Sequence, residues 1–168
     1  VIIISDTNIL SSLAAGDSLP SLLKLFAKAK IAIPFSVKDE IQVGFNKGQI
    51  YLETVLQAIE TNNIEVLELS AEEELLIFNY PNSLNEGERD AIALAQTRKA
   101  TLLCNDKRAI QYCKQRGISV INLVTIFRLL WTRKIITQDE TRSLIARIEQ
   151  TENLQLTHAQ YSEIFAPY

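Results

Sequence analysis

A chain of 168 residues with 47 % hydrophobic and 22 % charged residues is sized and balanced for one folded domain with its own core. It has no apolar run near the ~20 residues of a membrane span, and its opening VIII is too short and uncharged for a signal peptide. With two cysteines and no C-x-x-C pair, a disulfide framework is excluded, so Cys104 and Cys113 are expected to be reduced and the protein cytoplasmic. The start at Val1 rather than Met is that expected of a trimmed chain. The net charge of −3 is unevenly spread. Residues 1–97 carry 6 basic against 14 acidic side chains, residues 98–134 carry 9 against 1, and residues 135–168 carry 2 against 5. A basic late stretch suits a polyanion or a solvated helix surface equally well.

In chain order, VIIIS (1–5) reads as a short strand, followed by helical spacing over 9–15 and 19–30. IAI (31–33) is a strand stopped by Pro34, and Ser36 with Asp39 predicts a capping box for a helix to about Lys47. A helix is expected over 49–61, a strand over 64–69 and a helix over 71–79. PNSLNEG is a loop before a helix from Glu86 to about Lys99. TLLC (101–104) is a strand, DKRAIQYCKQRG a helix closed by Gly117, and ISVI (118–121) a strand. Helices are expected over 123–132, 137–150 and 157–165. Short apolar strands alternating with helices predict an α/β domain with a mainly parallel sheet covered on both faces.

In such sheets, sites form outside the carboxyl ends of the strands. Asp6 follows the first strand and Asp106 follows TLLC, so both are expected at one sheet edge. Glu40 falls in the first turns of the helix after IAI, and Asp90 near the start of the helix before TLLC. Four carboxylates without Cys or His suit a hard ion, Mg²⁺ or Mn²⁺, and hence phosphate or phosphodiester hydrolysis. Capping competes as an explanation: Asp6 and Asp106 each precede a helix, and Glu88 is placed to complete a capping box with Asn85. Asp90 lies too deep to cap, among Ala91, Leu94 and Ala95. A carboxylate there needs a partner, and a metal ion is the one expected.

These motifs resemble the PIN-domain family of metal-dependent nucleases. The likeness lies in ISDTNIL (4–10), VKDEI around Glu40, GERDAIALA with Glu88 and Asp90, and LLCNDKRA followed by GISVI. The resemblance implies a three-layer α/β/α PIN-like fold over 1–136, with 137–168 as a C-terminal helical extension packed on the same domain. It implies an endoribonuclease dependent on Mg²⁺ or Mn²⁺, with Asp6, Glu40, Asp90 and Asp106 as metal ligands. Glu88 would assist catalysis, and Thr7 and Asn8 would orient Asp6 or the attacking water. Many relatives are toxins of type II toxin–antitoxin modules and form homodimers, so an antitoxin protein and a second copy are implied partners beside RNA.

Arg89, Lys107 and Arg108 are candidate contacts for RNA phosphates. The reading of another class is a PIN-like module that binds RNA or protein without cutting. A haloacid-dehalogenase-type phosphatase needs Asp-x-Asp, but Asp6 is followed by Thr7 and Asn8. A receiver domain would show paired acidic residues after the first strand, which are absent. Neither a P-loop nor G-x-G-x-x-G occurs. His158, the single histidine, lies far from any Ser or Cys elbow, and Tyr112, Phe127 and Trp131 fit helix packing better than base stacking.

Overall fold

The computed structural model describes residues 1–167. Five strands form one sheet in the order β3-β2-β1-β4-β5: β1 (Ile2–Ser5), β2 (Lys30–Pro34), β3 (Ile64–Leu67), β4 (Thr101–Leu103) and β5 (Val120–Ile121). Every pairing is parallel. β1 is central, with Ile3 opposite Ile31 on one side and Thr101 on the other. The order reverses between β1 and β4, where doubly wound sheets open a crevice at the strands' carboxyl ends.

Alternation along the strands divides the interior in two. Ile3, Ile31, Ile33 and Leu103 face one core, built with α1 (Thr7–Ala15), α2 (Leu19–Leu25), α3 (Phe35–Asn46), α4 (Glu53–Glu60) and α8 (Leu123–Thr132). Ile4, Ala32, Leu102 and Cys104 face the other, closed by α5 (Ala71–Ile77), α6 (Glu86–Thr97) and α7 (Lys107–Gln115). Helices thus cover both faces of a parallel sheet, giving the three-layer α/β/α arrangement.

α9 (Gln138–Glu152) buries Leu144, Ile145 and Ile148 in the first core. It crosses α1 closely, because Gly16 has no Cβ where Leu144 and Ile148 press in, and Arg147 Nε donates to the Gly16 carbonyl at 2.9 Å. The Glu152 carboxylate accepts hydrogen bonds from Ser11, from Ser12 at 2.6 Å and from Tyr51. α10 (His158–Phe165) is tied to α8 by Trp131 Nε1, which donates to Ile164 O at 2.8 Å. Phe127 is fully buried and His158 exposed.

Several elements are shorter than their apolar patterns suggest. The helix expected over 19–30 ends at Leu25, since the chain must turn before Lys30 pairs with Val1 and Ile2. The stretch 49–61 divides into a 3₁₀ turn (Ile50–Leu52) and α4. IEVLEL, TLLC and ISVI keep ladder pairing only over 64–67, 101–103 and 120–121. The capping box read at Ser36 and Asp39 does not form: α3 starts at Phe35, after Pro34 in extended conformation. Ser36 therefore lies inside the helix with its hydroxyl free to reach elsewhere.

Candidate active site

Asp6 is the last extended residue before α1, and its N–H donates to Leu103 O at 3.0 Å, which ties it to the end of β4. Its Oδ1 accepts from the Ile9 N–H at 2.9 Å and caps α1. Its Oδ2 is buried and accepts no hydrogen bond of ordinary length and angle. Burial pushes the Asp6 carboxyl up to about 6, against the pull of the Ile9 N–H, the Cys104 thiol and the Asn105 N–H. The nearby charge of Glu88 adds to the rise.

Asp106 caps α7 from the end of the neighbouring strand, with Oδ1 accepting from Arg108 and Ala109 N–H groups at 2.9 Å each. Glu40, on α3, accepts from the Thr7 hydroxyl and lies against Gly87 at the head of α6. A Cβ at Gly87 would stand 2.8 Å from Glu40 Oε1, so the glycine makes room for the carboxylate.

Glu88 forms the expected capping box: its Oε2 accepts from Asn85 N–H at 3.0 Å while Asn85 Oδ1 accepts from Glu88 N–H. Burial raises its pKa, and the charges of Asp106 and Glu40 raise it further. Capping and a site role are therefore compatible, since the cap engages one oxygen. Asp90, for which a metal ion was the expected partner, accepts from Ser36 Oγ on its Oδ2 at 2.6 Å. Burial raises its pKa, with Glu86 and Glu40 adding and Ser36 and Arg89 opposing.

Glu88 thus feels Asp6, Asp106 and Glu40, whereas Asp90 feels Glu40 and Glu86. Thr7 touches Glu40, Asn8 is exposed, and Lys107 and Arg108 are exposed at the head of α7. The Arg89 Nε is buried and unpartnered. Sequence reasoning missed Ser36 and Gly87. Ser36 lies one helical turn before Glu40, a spacing that puts both on one face of α3.

Each carboxylate of the group holds one oxygen on the protein. Among the described residues, no three acidic side chains are already close enough to hold an ion as they stand. The donor set nevertheless suits a hard divalent cation, because Asp6 Oδ2 is a buried carboxylate oxygen, short of ordinary hydrogen bonds, in an all-oxygen, acid-rich crevice. Uncompensated, that oxygen is costly, and a cation would offset the cost.

No curated protein matches the chain. Among solved structures it is similar to VapBC2 from Rickettsia felis bound to a DNA fragment from its promoter, at 22 % identity and TM-score 0.58, covering 73 % of this chain and 98 % of that one. It is similar also to a domain of a functionally unknown protein from Methanocaldococcus jannaschii, at 21 % identity and TM-score 0.46, covering 73 % and 90 %. A family model described as a PIN domain matches residues 2–167, and the chain belongs to that family.

Proposed function

We propose that this PIN domain is a metal-dependent endoribonuclease. The observation that carries the reading is the buried Oδ2 of Asp6 at the point where the strand order reverses, with Asp106 capping α7 three residues past the end of the adjoining strand β4. When bound, Mg²⁺ or Mn²⁺ supplies positive charge to a phosphodiester under attack and makes the attacking water more acidic. Asp6 and Asp106 would hold the ion from the two strand ends, with Glu40 reaching in from α3.

The electrostatic neighbours favour Glu88 over Asp90 as the main acidic residue of α6. Asp90, fixed by Ser36, would complete the acidic wall toward α3. Thr7 orients Glu40 through its hydroxyl. Asn8, at the exposed rim, and the partly exposed Arg89 are positions for substrate phosphate or sugar.

The likeness to VapBC2 supports a toxin role with a cognate antitoxin, and a cytoplasmic place of action goes with that role. The exposed Phe35, Leu75 and Phe78 offer apolar area for a homodimer. Residues 137–168 read as a helical extension on a nuclease domain of 1–136, because α9 shares the core of α1. The alternative, a PIN-like module that binds without cutting, draws on the spread of the acidic side chains noted above.

The test is incubation of purified protein with a mixed single-stranded RNA pool and Mn²⁺, Mg²⁺ or EDTA, beside Asp6→Asn. Cleavage that needs metal and disappears in the variant supports the nuclease. Intact RNA under every condition, from folded protein, favours the binding module.

A further inference from the structure

The basic stretch of residues 98–134 does not form one surface, and its cations divide by task. Arg98 pairs with buried Glu73, its Nε 2.9 Å from Oε1. Arg128 donates to the carbonyls of Glu163 and Ala166 at the end of α10. On α7, Arg108 pairs with its own helix cap, Asp106, while Lys107 and Lys114 have no such structural work among the described residues. Lys107, Arg108, Gln111, Lys114 and Gln115 are all exposed, and no acidic residue occurs from 107 to 116. The opposite face of the helix is apolar, with Ala109, Tyr112 and Cys113 buried.

The placement of these charges runs against the local rule. The first turn of a helix is the positive end of its dipole and disfavours cations, by ~0.3–1 kcal/mol each. α4, α5, α6 and α9 carry acidic residues there. α7 carries Lys107 and Arg108 immediately after its Asp106 cap, and the Arg108 Nε stays 3.9 Å from that carboxylate. Arg108 is compensated by that pair, but Lys107 is not, and a local rule broken without structural compensation points to function.

The crevice is also polarised from side to side. On the flank formed by α3, α5 and α6, an open cleft of about 420 Å³ is lined by Asp39, Glu40, Glu68, Glu74, Glu86 and Asp90. A polyanion is repelled there and attracted on the α7 side. At the foot of α7, the Arg116 guanidinium stacks 3.6 Å over the Tyr112 ring, which holds one more exposed cation in place.

We propose that the outer face of α7 is the track for the sugar–phosphate backbone of a single-stranded RNA, which leaves the site along α7 and away from the α3–α5 flank. Lys107 and Arg108 meet the phosphate adjoining the site. Lys114 meets a phosphate further along, since Lys107 and Lys114 share that face and are ~10 Å apart along the helix. This inference rests on the nuclease reading for the identity of the ligand, but its test does not require cleavage.

The experiment is fluorescence anisotropy of a labelled short single-stranded RNA in EDTA, across a salt series. It compares wild type with Lys107→Gln, Lys114→Gln and their combination, and with a control carrying Lys24→Gln and Lys28→Gln on the other side of the sheet. Each α7 variant is expected to weaken binding several-fold and to reduce the salt slope by about 0.7, the double variant by about twice that. The control should match wild type. Unchanged affinity and slope in the double variant, or loss of the same size in the control, would overturn the track. So would wild-type protein that binds no RNA. Binding that weakens as expected in a protein that never cleaves would support the track and count against the nuclease, so the two failures separate.

Discussion

The Ser36 hydroxyl donates to the Asp90 carboxylate at 2.6 Å and so links the second turn-bearing wall of the crevice, α3, to α6 across 54 residues of sequence. The bond gives a buried acid a neutral donor and sets the direction of its free oxygen. Replacing Ser36 with Ala should cost about 1–2 kcal/mol of stability. It should also lower Mn²⁺ affinity by about tenfold, the lower end of the range for outer-shell partners. Chemical denaturation and metal titration measure the two effects.

Gly87 makes the opposite kind of prediction. Ala is the better helix former by up to about 1 kcal/mol, so Gly87→Ala should fold with equal or greater stability. Its Cβ would meet the Glu40 carboxylate, however, and the flexible side chain would swing aside. Cleavage should fall by about 10–100-fold with the melting temperature held or raised. A variant as active as wild type would show that the position of Glu40 is not critical.

Glu88→Gln separates capping from chemistry. Gln completes a capping box as Glu does, so the fold should be preserved. The charge near Asp6, Asp106 and Glu40 is removed. Metal-dependent cleavage should drop by about 100-fold or more, and by less in Asp90→Asn. The reverse order, read from initial rates on one RNA, would return the main role to Asp90.

Asp6 makes metal-free stability depend on pH. Its pKa is raised to about 6 by burial, so the protonated form is the one the folded state prefers. That contribution is full below the unfolded value near 3.8 and is lost as pH rises through 6. In EDTA, Asp6→Asn should therefore exceed wild type at pH 8, by roughly 2–3 kcal/mol for a shift of this size, and the gap should close near pH 4. Urea denaturation at the two pH values measures it, and a gap independent of pH would contradict the buried-charge account.

The positions of Asp6 and Asp106 were legible in the sequence because strand ends are fixed by apolar runs, and parallel strands send their carboxyl ends to one edge. The all-parallel sheet and its two covers followed from the same runs. Ser36 was misread because S-x-x-D also spells a cap, and only Pro34 in extended conformation, as the actual cap, shows that α3 starts two residues earlier than a Ser36 cap would set it. Gly87 was not legible as a cradle, since what its missing Cβ would strike comes from a helix some 47 positions away in sequence. Between Glu88 and Asp90 the sequence favoured Asp90, because capping already explains Glu88; the charge neighbours that bear on the choice are set by three-dimensional packing.

The most direct test of the central claim is Mn²⁺ binding followed by electron paramagnetic resonance, with wild type beside Asp6→Asn and Asp106→Asn at pH 7.5. Saturable binding to wild type is expected, with its loss, or a drop of at least about tenfold in affinity, in both variants, each still folded. Equal binding by all three proteins, or none by folded wild type, would contradict a metal centre at these strand ends.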